Sequence, residues 1–237
     1  MLPGNKTVGV VIPAAGRGSR MKHRMPKQFM ALCGKPILLR TLEPFQASAV
    51  IDFIIVVAGR ADVAKVRRMV LSARISKVRA VVPGGSVRQE SVWNGLRELQ
   101  KHSPDVVLVH DAVRPFISTE LIEGVARVAW KTGACIPAVP LTDTIKACDG
   151  DAVVKSTLPR EHLWAAQTPQ GFRNELLCRA FTAAARSRFR GTDEAGIVER
   201  LGARVRVIMG TRENLKITTP DDILLAETLV RRKAGKR

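Results

Sequence analysis

The sequence is poor in aromatic residues and in acids. It has no tyrosine, and aromatic residues make up 4% of its 237 residues. Proteins that bind single-stranded nucleic acid stack bases on aromatic side chains, so this scarcity argues against a polynucleotide partner. Lysine and arginine (39) outnumber aspartate and glutamate (21), which gives a net charge of +18. Because these cations are spread along the whole chain, they predict a solvated basic surface that helps to attract polyanions.

Cysteine and long apolar runs are also scarce. The four cysteines are far apart and form no CxxC pair, so neither a structural zinc site nor a disulfide framework is predicted. No run approaches the ~18 apolar residues of a membrane-spanning helix. Residues 1–7 lead directly into an apolar segment, without the pattern of a secretory signal. We therefore expect a cytoplasmic protein with reduced thiols and no membrane partner.

Short apolar segments alternate with amphipathic ones, a pattern typical of strands and helices in turn. The predicted strands are 8–13, 52–57, 78–82, 106–109, 134–139, 205–209 and 215–218. The predicted helices are 37–45, 61–73, 86–100 with Ser86 as its N-cap, 119–131, and three that begin near Arg173, Asp193 and Thr219. This order predicts an α/β fold with a Rossmann-like, mostly parallel sheet and helices on both faces, in a single domain over residues 1–237. Ligands of such sheets bind beyond the carboxyl ends of the strands.

The alternation breaks within residues 141–163. Two strand-like segments, 144–148 and 152–157, flank the sequence Asp149-Gly150-Asp151, which is typical of a tight turn. We expect this region to be a β-hairpin inserted into the α/β order. Such an arm projects from the sheet, and it either covers a site or contacts another subunit.

The loop after the first strand carries the strongest functional signal. Residues 13–21 read Pro-Ala-Ala-Gly-Arg-Gly-Ser-Arg-Met. The small residues let backbone N–H groups approach a phosphate or the edge of a base. Arg20 and Lys27 follow and can stabilise charge that develops on an attacked phosphate. The loop is not a Walker A motif, since no Gly-Lys-Ser/Thr ends it, and it lacks the third glycine of a dinucleotide-binding fingerprint.

Further segments narrow the interpretation. They are Met25-Pro26-Lys27-Gln28, 84–92 (GGSVRQESV), 109–115 (VHDAVRP), 167–170 (QTPQ), 192–195 (TDEA) and 214–218 (NLKIT). Together with residues 13–21 they resemble the nucleotidyltransferases that activate sugar or polyol phosphates, and in particular the 2-C-methyl-D-erythritol 4-phosphate cytidylyltransferase family of non-mevalonate isoprenoid biosynthesis. The resemblance extends from about Val8 to Glu227. It implies that CTP and a small polyol phosphate react, with Mg²⁺ as cofactor, to give a CDP-linked product and pyrophosphate.

The resemblance also implies roles for single residues. Arg20 and Lys27 correspond to transition-state stabilisers, whereas Arg160 and Lys216 correspond to residues that position the acceptor phosphate. The implied nucleotide-binding residues are Ala14, Ala15, Gly16, Gly18, Gly85, Ser86, Ser91 and Asp111. The implied substrate-binding residues are Thr144 and Thr192. Asp111 is in addition the candidate ligand of Mg²⁺. In the family the hairpin arm crosses to a second subunit, so the resemblance implies a homodimer whose sites are completed in trans.

Several alternatives stay open at this point. Ribitol-5-phosphate cytidylyltransferases share the loop and the QTPQ segment, although residues 13–16, 142–146 and 160–164 favour methylerythritol phosphate as the acceptor. A non-catalytic basic module that binds nucleotides or RNA would keep the same fold, but the presence of Arg20 and Lys27 argues against it. Asp111 could instead be a structural carboxylate paired with nearby Arg114.

Overall fold

The computed structural model describes residues 6–16 and 25–235, so Gly18 and Arg20 lie outside the described residues. The strands are β1 (Val8–Ala14), β2 (Ala31–Leu32), β3 (Lys35–Pro36), β4 (Phe53–Ala58), β5 (Val78–Pro83), β6 (Val106–Val109), β7 (Ala134–Pro140), β8 (Ile145–Cys148), β9 (Val154–Leu158), β10 (Trp164–Ala166), β11 (Gln170–Arg173) and β12 (Arg206–Met209). The α-helices are α1 (Ile37–Ala47), α2 (Val63–Ser72), α3 (Arg88–Leu99), α4 (Thr119–Thr132), α5 (Asn174–Arg186), α6 (Glu194–Glu199) and α7 (Pro220–Ala234). None of these helices has the length and apolar character needed to cross a membrane.

Eight strands form the central sheet, in the order β10-β7-β11-β6-β1-β4-β5, with β12 paired to β7. The half formed by β6, β1, β4 and β5 is parallel, as is the β7–β12 pair. In contrast, β10 and β11 run antiparallel to their neighbours. The predicted α/β fold with a mostly parallel sheet is confirmed. The two antiparallel strands were not predicted, because both are short and β11 contains a glycine and two polar residues.

Helices cover both faces of the sheet because neighbouring residues of a strand point to opposite sides. On β1, Val10 and Ile12 belong to the core cluster that packs under α1, α2 and α4. The residue between them, Val11, belongs to a second cluster, formed with α3 and α5. Strands whose residues are buried on both sides read as continuous apolar runs. This is why β1, β4 and β6 were predictable from their apolar runs in the sequence.

The remaining predicted elements agree with the structure to within two residues at each predicted boundary, except at two places. No strand forms at 215–218, where Ile217 donates one backbone hydrogen bond to Val113 and is buried in a cluster with α7. The alternation of apolar and polar residues there reflects this single buried side chain and not a sheet. Ser86 is not the N-cap of α3: the helix begins at Arg88, and the Ser86 hydroxyl donates to Glu90 Oε2 at 2.7 Å.

The hairpin arm is present where the sequence predicts it. β8 and β9 pair with each other in a separate two-stranded sheet. Asp149 fixes the turn, since its Oδ1 accepts hydrogen bonds from the backbone N–H groups of Asp151 and Val153, both at 3.0 Å. Every residue of β9 is exposed. A two-stranded hairpin is only marginally stable by itself in water.

The close packing of α3 against the sheet gives a test of the fold. A Cβ at Gly95 would lie 2.5 Å from Val11 Cγ1 and 2.7 Å from Val57 Cγ2. Gly95→Ala should therefore lower the free energy of unfolding by about 1 kcal/mol or more, because overpacking outweighs the gain in helix propensity. On α4, a Cβ at Gly124 would meet its nearest atom at 3.6 Å, so Gly124→Ala should be neutral or stabilising. Urea unfolding of both variants checks this, and stabilisation by both would contradict the described packing.

Candidate active site

A cleft of about 500 Å³ opens beyond the carboxyl ends of β1 and β6. Its walls come from four parts of the chain that are distant in sequence: the loop after β1, the start of α3, the loop after β6 and the segment before α7. The lining residues are Pro13, Ala14, Ala15, Gly16, Lys27, Gln28, Gly85, Ser86, Val87, Arg88, Ser91, Asp111, Ala112, Val113 and Lys216. A larger recess beside it shares Ala15, Gly16, Gln28, Gly85 and Ser86.

The loop after β1 is held by a buried glutamine. Gln28 Nε2 donates to the carbonyl oxygens of Ala14, at 2.6 Å, and Gly16, at 3.1 Å. The amide satisfies two backbone acceptors beside the cleft. Gln28 therefore fixes the described part of the glycine-rich loop. Gln28 belongs to the Met-Pro-Lys-Gln segment, but its role was not predicted from the sequence.

The loop between β5 and α3 lies directly against the loop after β1. A Cβ at Gly84 would lie 2.5 Å from Ala15 Cβ and 2.9 Å from Ser91 Oγ, so only glycine allows this approach. Ser91 Oγ accepts from the backbone N–H of Gly85 at 3.1 Å and donates to Val87 O at 3.1 Å. Ser91 thus shapes the loop that carries Gly85, and its hydroxyl is already engaged with backbone groups.

Asp111 is the electrostatic centre of the cleft. Its side chain is only 10% exposed, and it forms ion pairs with Lys216 at 2.8 Å, Arg88 at 3.3 Å and Arg114 at 3.6 Å. Burial alone would raise the pKa of this carboxyl, but the surrounding cations lower the pKa well below its ordinary value. Asp111 is therefore a carboxylate at neutral pH. The pairing with Arg114 considered from the sequence is present, although Lys216 and Arg88 lie closer.

Lys27 and Lys216 are brought together by a short piece of backbone. Lys27 Nζ donates to the carbonyl oxygen of Ile217 at 3.1 Å, next to the residue whose ammonium contacts Asp111. Ile217 N in turn donates to Val113 O at 2.9 Å, which ties this segment to the loop after β6. As a result, two lysines that are 189 positions apart in the sequence line the same cleft.

A second carboxylate lies behind Arg88. Both terminal nitrogens of Arg88 donate to Glu194, at 2.6 Å and 3.0 Å, and Nη2 also reaches Asp111 Oδ1 at 3.3 Å. Glu194 is completely buried at the first position of α6. Neither Arg88 nor Glu194 was predicted from the sequence as a member of the site. The available signal was their position in the GGSVRQESV and TDEA segments, but spacing alone gave no reason to pair them.

Beneath Asp111 a neutral histidine organises the loop after β6. The backbone N–H of Asp111 donates to Thr168 Oγ1 at 3.1 Å, so the Thr168 hydroxyl can donate to His110 Nδ1 at 3.0 Å. His110 Nε2 then carries the proton and donates to the carbonyl oxygen of Arg114 at 3.1 Å. Burial lowers the pKa of His110 to about 4. This side chain therefore supports the loop and takes no part in proton transfer at neutral pH.

The predicted site residues divide into four groups. The cleft brings together Ala14, Ala15, Gly16, Lys27, Gly85, Ser86, Ser91, Asp111 and Lys216, with Ser91 and Asp111 buried. Thr144 and Arg160 lie at the exposed arm, where Arg160 Nη1 donates to the carbonyl oxygen of Thr142. Thr192 is exposed and lies two residues before the buried Glu194. Gly18 and Arg20 fall outside the described residues.

An α/β sheet whose strand ends meet small-residue loops and several cations is suited to a nucleotide polyphosphate. The fold and the cleft are those of a nucleotidyltransferase. The family model of 2-C-methyl-D-erythritol 4-phosphate cytidylyltransferase matches residues 8–232. This chain belongs to that family, and it is therefore a cytidylyltransferase.

Individual relatives agree over nearly the whole chain. The 2-C-methyl-D-erythritol 4-phosphate cytidylyltransferases of Geobacter metallireducens and Geotalea uraniireducens are 43% and 44% identical, over 95% and 97% of this chain and 98% and 99% of theirs. Among solved structures, the 4-diphosphocytidyl-2C-methyl-D-erythritol synthase of Anaerococcus prevotii matches with a TM-score of 0.83 and 32% identity, covering 95% of this chain and 96% of that one. The Thermus thermophilus cytidylyltransferase matches with a TM-score of 0.75, also at 32% identity.

The buried His110 makes stability depend on pH. Its pKa is about 4 in the folded protein and about 6.5 in an unfolded chain, so between these values only the unfolded chain binds the proton. The contribution of the neutral His110 to the free energy of unfolding is fully present above pH ~6.5. It is lost as the pH falls toward 4, by about 3 kcal/mol in total. Urea unfolding between pH 4 and 8 should detect the loss, and His110→Gln should reduce it. His162→Gln, at an exposed position, should leave the profile unchanged.

Proposed function

We propose that this protein transfers the cytidylyl group of CTP to 2-C-methyl-D-erythritol 4-phosphate, giving 4-diphosphocytidyl-2-C-methyl-D-erythritol and pyrophosphate. The observation that carries the proposal is the convergence of Lys27, Arg88 and Lys216 on one cleft beside two small-residue loops. An oxygen of the acceptor phosphate attacks the α-phosphorus of CTP, and the bond from that phosphorus to the β-phosphate oxygen breaks. Catalysis then depends on in-line positioning and on charge stabilisation. The acceptor phosphate is ionised at neutral pH, so no general base is required.

The nucleotide binds between the two loops that meet at Gly84. Ala14, Ala15 and Gly16 approach it through backbone groups, because no long side chain stands in the way. Gly85, Ser86 and Ser91 form the opposite wall of the nucleotide site. Gly85 and Ser86 recognise the cytosine by hydrogen bonds, while Ser91 contributes by holding the Gly85 backbone in place. The close approach of the loops at Gly84 and Ala15 supports this assignment, since a larger side chain at Gly84 would displace the facing wall. Gly18 and Arg20 belong to the same loop by sequence and are assigned to the polyphosphate.

The two lysines act on different reactants, Lys27 on CTP and Lys216 on the acceptor. Lys27, together with Arg20, stabilises the negative charge that increases on the α-phosphate as it is attacked. Lys216 holds the acceptor phosphate, and its position next to Ile217 keeps it close to Lys27. Arg160 and Thr144 of the arm and Thr192 before α6 complete the acceptor site.

Mg²⁺ fits this cleft as an ion held mainly by the nucleotide. Within residues 6–16 and 25–235, no group of three His, Cys, Asp or Glu side chains is placed to bind a metal. Asp111 supplies one ionised carboxylate on the cleft wall, and Mg²⁺ commonly binds one or two carboxylates together with substrate phosphates and water. Asp111 would be its protein ligand, and the ion would neutralise phosphate charge when bound. Arg88 and Lys216 keep Asp111 deprotonated and therefore able to bind a cation.

The functional unit that we propose is a homodimer that exchanges its arms. Val153, Val154 and Leu158 expose large apolar surfaces on the arm, at 60%, 55% and 39% of their areas. A two-stranded sheet with such side chains gains stability when it packs against another surface. The arm would carry Arg160 into the cleft of the partner. A single domain with this arm and a cytoplasmic location remain predictions from the sequence.

The acceptor can be tested directly by pyrophosphate release. With Mg²⁺ and CTP, 2-C-methyl-D-erythritol 4-phosphate should support turnover with a kcat/KM at least about 100-fold above that of D-ribitol 5-phosphate, because a polar site discriminates strongly between hydroxyl patterns. A preference for D-ribitol 5-phosphate would be consistent with the proposed mechanism but would overturn the proposed identity of the acceptor. No turnover with either acceptor, in a folded sample, would favour a nucleotide- or RNA-binding module.

Sharing of sites between subunits predicts complementation. Lys216→Ala and Arg160→Ala should each lower kcat/KM strongly, since both remove a cation from the acceptor phosphate. A refolded 1:1 mixture should recover about a quarter of the parent activity, because half of the random dimers are mixed and each contains one intact site. If Arg160 acts within its own subunit, the mixture will show no recovery.

A further inference from the structure

Glu194 is a buried carboxylate that the proposed reaction does not use. Its side chain is 1% exposed, and Arg88 is its partner at 2.6 Å and 3.0 Å. Burying a charge costs several kcal/mol unless a well-placed partner compensates for it. A polar or apolar residue would fill the same volume at lower cost. The arrangement therefore needs an explanation beyond stability.

Glu194 is held on a rigid part of the molecule. Asp193 caps α6, with its Oδ1 accepting from Gly196 N at 2.9 Å. The other oxygen, Oδ2, accepts from Gln170 Nε2 at 2.7 Å, while Gln170 Oε1 accepts from Ala195 N at 2.9 Å. These bonds join the first turn of α6 to β11 in the central sheet. The Glu194 carboxylate thus has a fixed position relative to the strand ends.

Arg88 transmits this position to Asp111. A guanidinium is planar, and two hydrogen bonds to one carboxylate fix its orientation as well as its location. The same Nη2 that donates to Glu194 reaches Asp111 Oδ1 at 3.3 Å, while Lys216 and Arg114 lie on the Oδ2 side. Each oxygen of Asp111 therefore has its own set of cations. Arg88 sets the rotation of the carboxylate, and Glu194 sets the position of Arg88.

We propose that Glu194 is a positioning residue: acting through Arg88, it holds the Asp111 carboxylate in the orientation that binds the cation of a metal–nucleotide complex. The inference rests on the proposed role of Asp111. Glu194 also limits how far Arg88 can move toward Asp111. Without the Glu194 charge, the guanidinium has one carboxylate left and shifts onto Asp111, where it competes with the metal ion.

The test measures binding without turnover. Titration calorimetry gives the Kd of CTP in Mg²⁺ and in EDTA, and the ratio of the two is the gain in affinity that the metal provides. Glu194→Gln should reduce this ratio about 10-fold, as expected for loss of a group that orients a metal ligand. The Kd in EDTA should change little. Glu199→Gln, on the same helix but exposed, is the matched control and should behave as the parent protein.

Arg88→Lys keeps the charge but cannot bridge two carboxylates, so it should lower the ratio in the same direction. The double variant should be no worse than the more affected single variant, because both changes break one chain of contacts. If Glu194→Gln does not fold, Arg88→Lys alone tests the proposal. We expect Arg88→Lys to fold, because the Arg88 side chain is 34% exposed at the cleft wall.

The outcomes separate this inference from the proposed function. An unchanged ratio in folded Glu194→Gln, or additive losses in the double variant, overturns the positioning role. Equal losses of affinity in Mg²⁺ and in EDTA also overturn it, because they indicate a general structural effect. Asp111→Asn should reduce the ratio in every case. If it does not, the assignment of Asp111 to the metal fails, and the positioning role fails with it.

Discussion

The site depends on one nearly buried carboxylate surrounded by cations. Asp111 draws Arg88 from the start of α3, Lys216 from the segment before α7 and Arg114 from its own loop into one place. Without this charge the three cations would repel one another, and the cleft would open. With it, the cations still outnumber the carboxylates around the cleft. The cleft therefore keeps a positive potential that attracts a polyphosphate. At the same time, Arg88, Lys216 and Arg114 are each paired with Asp111.

Much of the fold was predictable because it obeys simple periodicities. β1, β4 and β6 are buried on both faces, and their nearly continuous apolar residues, rich in valine and isoleucine, mark them as central strands. The capping box of α7, in which Thr219 and Asp222 satisfy each other's backbone groups, is also a local signal. In contrast, β11 is polar and short, and its pairing with β6 and β7 comes from tertiary contacts that no local pattern encodes.

The candidate site was predictable in part, and for a different reason. The small residues at 14–16 and Lys27 stand in a segment whose residue types indicate phosphate binding, whereas Lys216 was assigned from the resemblance of residues 214–218 to the family. The pairing of Arg88 with Glu194 could not be read in this way, because a single arginine and a single glutamate 106 positions apart carry no signal of contact. The same holds for Gln28, which donates hydrogen bonds to the carbonyl oxygens of Ala14 and Gly16. These two oxygens come within reach of Gln28 only after the loop has folded.

The long sequence separations in the cleft have a consequence for how the molecule matures. The Lys27 contact with Ile217 closes a loop of 190 residues, and the Arg88 contact with Glu194 closes one of 106. Contacts of such high contact order form late, after the entropy of closing those loops has been overcome. A nascent chain on the ribosome can complete β1, β4 and β5 early, yet it has no nucleotide cleft until the residues around 217 have emerged. Ligand binding therefore reports that nearly the whole polypeptide has folded.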